Sequence, residues 1–154
     1  MTPDLADALL SGAHWAAVGL TLLVVATVVG FHFEALTWLN ARLPHLRVGA
    51  RFRVVALIFA VLAVHSLEIW LFGGAIWATV RWPALGYVSG TGPLQFLDAI
   101  YLSTTTFTTV GYGDLTPHGP LRFLLGVEGL TGLVLIAWSA SFTYLEMERD
   151  WRSR

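Results

Sequence analysis

Seven consecutive residues, Thr108 to Asp114, read Thr-Thr-Val-Gly-Tyr-Gly-Asp. The run offers threonine hydroxyls and, above all, main-chain carbonyls. A dehydrated monovalent cation needs several oxygen ligands at once, and consecutive carbonyls supply them when all aim to one side. That backbone calls for unusual dihedrals, which Gly111 and Gly113 adopt without a Cβ clash. Val110 and Tyr112 then point away and brace the run from behind, and Asp114 adds negative potential at its mouth.

A second group is set apart by where it sits. Glu68 and Glu128 lie inside long apolar stretches, where acidic side chains are rare, costly and by default functional candidates. At ~1.5 Å per residue, Glu128 falls ~12 Å inside the end at Pro120 and Glu68 ~18 Å inside the end at Val80. His65 is one turn further in. The partners expected for Glu128 are Thr104 and Thr105, or His65 and Glu68 on a neighbouring antiparallel helix. His32 and Glu34 read as interfacial residues, and His118 as a solvated loop residue. A single His-x-x-Glu pair has too few ligands for a catalytic metal, so the sequence does not describe an enzyme.

The elements that position these residues follow from composition. Of 154 residues, 56% are apolar or aromatic and 12% charged, more apolar side chain than a soluble core of this length can hide. The expected fold class is an all-α integral membrane protein, with lipid as its solvent. Cysteine is absent, which excludes thiol chemistry and disulfides. A net charge of -1 argues against a nucleic-acid partner. The first twelve residues carry Asp4 and Asp7 and no cation, so no secretory signal is read there.

Three stretches are long enough to cross a bilayer: Trp15 to Phe31 with an extension through Leu39, Val54 to Val80, and Pro120 to about Leu145. Phe96 to Phe107 is too short to cross and reads as a re-entrant helix, entered through a loop, Arg81 to Pro93, rich in Gly and Pro. Of nine arginines, seven lie between the first two spans or after the third; only Arg81 and Arg122 lie on the other side. The positive-inside rule then places the N-terminus outside and the C-terminus in the cytoplasm. Trp15, Trp77 and Trp82 suit the outer interface and Trp38 and Trp151 the inner one, while Trp70 and Trp138 suit packing.

Thr108 to Asp114, preceded by FLDAIYLSTTTF and flanked by two spans, resembles the signature of the potassium channel superfamily. The resemblance covers about Val54 to Leu145 in the family's order of outer helix, pore helix, filter and inner helix. It implies that the carbonyls of Thr109, Val110, Gly111 and Tyr112, with the Thr109 hydroxyl, bind potassium in stacked rings. It also implies a homotetramer, since one chain holds one loop and the family's ring takes four. No cofactor is implied; potassium is the permeant ligand. Tyr112 speaks against a weakly selective cation pore, because related nonselective pores depart from GYG here.

The expected organisation is an extra helix and linker over residues 1–53, a pore domain over 54–145 and a cytoplasmic tail over 146–154. Gly132 lies where the family often has a gating hinge, although close helix packing explains such a glycine equally well. Some family members brace the filter with an acidic residue where this chain has Thr105, so Glu128 or Glu68 is the candidate replacement. No span carries arginine at every third position, so no voltage sensor is visible. The short tail leaves no room for a cytoplasmic ligand-binding domain. The setting that fits is a prokaryotic plasma membrane.

Overall fold

The computed structural model describes residues 11–45 and 49–152. Asp4 and Asp7, and Arg47 and Arg154 of the arginine asymmetry, lie outside the described residues. Four helices carry the chain: α1 (Gly12–Arg42), α2 (Ala50–Thr79), α3 (Phe96–Phe107) and α4 (Leu121–Arg152). Three of them, α1, α2 and α4, are long and apolar enough to cross a membrane, which makes this an all-α, multi-pass membrane protein. Each runs past the span legible in the sequence. A helix satisfies its own backbone groups, so nothing forces it to stop where the hydrocarbon ends.

α3 has the predicted bounds, and its start is chemically marked. The Gln95 amide donates to Asp98 Oδ2 at 3.0 Å and the Gln95 side chain accepts from the Asp98 amide. This reciprocal cap also sets a carboxylate at the positive end of the helix.

The first span packs against both α2 and α4. Its buried residues, Ala17, Thr21, Val28, His32, Leu36 and Leu39, recur at three, four and seven positions and so form one stripe along the helix. Leu22 and Leu23, on other faces, are more than 60% exposed, as expected for side chains that meet lipid. Beneath the stripe, Val28, Phe72, Ile76, Ala99, Leu102, Phe107 and Leu124 form a core that ties α1 through α4 together.

Small residues set the closest approaches to α3. A Cβ on Gly73 of α2 would lie 2.5 Å from Ile100 Cδ1 and 2.9 Å from Ile100 Cα. A Cβ on Gly132 of α4 would collide with the Phe107 carbonyl. α3 is therefore wedged between two glycine contacts, one from each flanking helix.

The loops on either side of α3 hold the one departure from an all-helical fold among the described residues. Tyr87–Ser89 (β1) pairs antiparallel with Thr116–His118 (β2), in the register Tyr87 to His118 and Ser89 to Thr116. Gly86 and Gly90, at φ +124° and +103°, allow β1 to come against the backbone of His118 and Asp114. His118 is correspondingly not a free loop residue. Its Nε2 lies 2.8 Å from Ser89 Oγ and its ring stacks on Tyr87 at 4.6 Å.

Candidate functional site

At the C-terminal end of α3 the chain leaves the helix in three hydrogen-bonded steps. The Thr108 amide donates to Thr104 O at 3.2 Å, the Thr109 amide to Thr106 O at 2.9 Å, and the Gly111 amide to Thr105 O at 3.0 Å. Thr108 Oγ1 also donates to Thr104 O. The helix's last carbonyls are thus used to hold the loop that follows. Thr105 is buried and its hydroxyl donates to Leu102 O, so it braces this turn through its own carbonyl rather than through a charge.

Beyond the turn, left-handed backbone recurs at every second residue: Thr109 has φ +61°, Gly111 +53° and Gly113 +79°. Gly111 and Gly113 match the sequence reading; Thr109 was not foreseen, because threonine disfavours this region. Its strain is held in place by the amide bond to Thr106 O. All seven residues from Thr108 to Asp114 are exposed, Val110 at 53% and Tyr112 at 73%, so the described residues leave this extended segment uncovered.

The mouth of the loop is fastened at Asp114. Tyr101 Oη donates to Asp114 Oδ2 at 2.8 Å, and this bond, more than any other influence, raises the Tyr101 phenol above its ordinary value. Asp114 is therefore both a charge at the mouth and a link back to the middle of α3.

Glu128 is fully buried, and its neighbour differs from those expected. Ser103 Oγ lies 2.5 Å from Glu128 Oε1 and 2.8 Å from Ile69 O. Thr104 and Thr105 instead donate within their own helix. Ser103 thus links α4, α3 and α2 at one point. It lies two residues before Thr105, and α4 approaches that face of the pore helix.

Glu68 lies apart from Glu128 in a different cluster. Its Oε1 is 2.7 Å from His32 Nδ1 and its Oε2 is 2.7 Å from His65 Nδ1. His32 and Glu68 are fully buried and His65 is partly exposed, at 14%. His32 is therefore not interfacial. Helix α1 is staggered against α2 and reaches the turn at Pro83–Leu85, which brings a residue late in α1 level with the middle of α2. The cluster touches the pore helix, since the His65 ring lies 5.9 Å from that of Phe107. His-x-x-Glu on α2 was legible in the sequence; the third member on α1 was not.

Gly132 faces Phe107 at van der Waals limits, Gly129 would place a Cβ 3.4 Å from Thr106 O, and Gly126 meets nothing within 4 Å. Packing alone accounts for glycine at 132, with no hinge required.

Residues 51–147 match the family described as Ion channel, and the chain belongs to it. Curated potassium channels are among the proteins it is similar to. It is 33% identical over 82 residues to the inward rectifier potassium channel Kirbac3.1 of Paramagnetospirillum magnetotacticum, covering 53% of this chain and 28% of that one. It is 48% identical over 42 residues to the two pore potassium channel b of Oryza sativa subsp. japonica, covering 27% and 12%. Protein LctB of Geobacillus stearothermophilus is 33% identical over 67 residues, covering 44% and 50%. The chain thus spans half or less of these relatives' lengths. No solved structure matches it.

Proposed function

We propose that four copies of this chain close around one axis as a homotetramer that conducts potassium passively and selectively. The observation that carries this reading is the alternation of left-handed residues at Thr109, Gly111 and Gly113 in a strand that the single chain leaves bare. Alternating backbone of this kind turns successive carbonyls to one side, and the bare strand needs three more to complete a ring. The carbonyls of Thr109, Val110, Gly111 and Tyr112, with the Thr109 hydroxyl, replace the shell of water around the ion. The α3 C-terminus adds the negative end of its dipole beneath them. Potassium then moves down its gradient with no cofactor.

The pore unit in this reading is residues 54–145. Residues 1–53 add a peripheral helix and linker, and 146–154 form a tail. The protein sits in the cell membrane of a prokaryote, with the N-terminus and pore mouth outside and the tail in the cytoplasm, on the strength of the arginine asymmetry.

The test is ion flux in liposomes containing the purified protein. Potassium flux without ATP or a cotransported ion, sodium flux far smaller, and crosslinking that stops at four chains are expected. Equal sodium and potassium flux, or no flux, would overturn the reading. For the orientation, a label at Ser11 should react on intact cells; protection there with reaction at Trp151 would reverse it.

A further inference from the structure

The buried cluster of His32, His65 and Glu68 has no part in conduction as derived above. The two imidazoles come from different helices, and each presents Nδ1 to a separate oxygen of one carboxylate at 2.7 Å. One candidate ligand atom from each residue lies within 4.8 Å of the others. His32 Nε2, on the far side of its ring, is buried and has no hydrogen-bond partner among the described residues. The hydrogen bond to Glu68 and ring contacts with Trp138 and His65 orient the ring.

We propose that His32, His65 and Glu68 form a binding site for one divalent transition-metal cation of the zinc class. Two imidazole nitrogens and a carboxylate oxygen are ligands that zinc, cobalt and nickel accept, whereas magnesium and calcium take oxygen alone. Ligand atoms around a zinc ion with ~2.1 Å bonds stand ~3.4 Å apart, so the Glu68 carboxylate has to withdraw by less than ~1 Å from each ring while the two imidazole nitrogens, now within 4.8 Å of each other, close by up to ~1.4 Å. Side-chain rotations of Glu68 and of the partly exposed His65 supply these shifts. Charge favours the same occupant. The Glu68 carboxylate is fully buried in a low-dielectric setting, and a bound cation offsets its negative charge.

Access exists on the His65 side, where α2 and α4 enclose a groove of about 430 Å³ lined by His65, Ser139, Ile58 and Leu62 among others. The buried Ser139 hydroxyl on that groove also lacks a partner. Three protein ligands leave a fourth position for water, and the metal would pin α1 to α2 beside Phe107.

The full-length protein, stripped with a chelator in detergent and kept in potassium chloride, is titrated with cobalt(II) and zinc(II). One cobalt per chain, with visible absorption bands that zinc abolishes, is expected, together with a zinc-dependent rise in melting temperature. His65→Ala and Glu68→Gln should weaken binding by more than the ~10- to 100-fold typical of residues that only orient a ligand. His14→Ala and His118→Ala should leave it unchanged. If Glu68→Gln does not assemble, His65→Ala decides, because that ring is partly exposed and its loss leaves the His32–Glu68 bond intact. Absence of saturable one-per-chain binding in the parent protein, or its persistence in His65→Ala, overturns the proposal. Potassium flux is measured separately and does not enter this test.

Discussion

Ser103 Oγ stands between Glu128 Oε1 at 2.5 Å and Ile69 O at 2.8 Å, with the three residues on three different helices. A hydroxyl has one proton to donate, so both contacts are satisfied together when the Glu128 carboxyl supplies a second. Glu128→Gln supplies it from its amide and should keep assembly and flux near those of the parent. Glu128→Ala leaves a cavity and removes one of the two hydrogen bonds of the Ser103 hydroxyl, at a cost of about 2–4 kcal/mol. Melting of the purified protein in detergent separates the two. Equal loss in both would mean that an ionised carboxylate is required at this point.

The turn at Gly111 yields a second expectation. A Cβ there meets nothing within 4 Å, so Gly111→Ala adds no steric clash within the chain. What remains is the backbone penalty at φ +53°, about 1 kcal/mol in each chain and repeated around the ring. On the proposed function, assembly should therefore persist in this variant while the preference for potassium over sodium falls, and reversal potentials in mixed salts measure it. An unchanged preference would exclude residues 109–112 as the selective segment.

How much of this could be read from the chain depended on the range of the interactions involved. Phe96 to Phe107 was legible to the residue, because the Gln95–Asp98 cap and the threonine run that follows are local signals. The left-handed glycines were legible for the same reason. Thr109 was not, since its conformation is imposed by Thr106 against its own propensity. The depth of Glu128 and Glu68 placed both inside the membrane, but the partners expected for Glu128, Thr104 and Thr105 or His65 and Glu68, are not the one it has, Ser103. Depth counted from helix ends assumes that helices begin level with one another, and the stagger of α1 breaks that assumption. The pairing of Tyr87–Ser89 with Thr116–His118 joins residues 27 to 31 apart through strands of three residues, too short to leave a period in the sequence.

Gly132 supplies a test of packing against hinge. Its Cα passes the Phe107 carbonyl so closely that any side chain must displace the end of the pore helix. Gly132→Ala should cost about 1–3 kcal/mol of stability. Gly126→Ala, which meets open space in the same helix, should cost nothing comparable. If Gly132→Ala melts like the parent but alters opening, the residue acts as a hinge.

The bond from Tyr101 to Asp114 ties the mouth of the loop to the pore helix, and it depends on the phenol keeping its proton. Because the folded protein raises the Tyr101 phenol above its ordinary value, the contact is fully present below the usual tyrosine range and is lost as pH rises through the elevated value. Stability of the loop should accordingly be flat through neutral pH and fall only at alkaline pH. Tyr101→Phe removes the donor while keeping the ring, so it should abolish that alkaline component and shorten open times already at neutral pH. Single-channel recordings of both proteins from neutral to alkaline pH check this. The same alkaline decline in Tyr101→Phe would assign it to another group, and parent-like open times at neutral pH would show that the Asp114 contact does not steady the conducting loop.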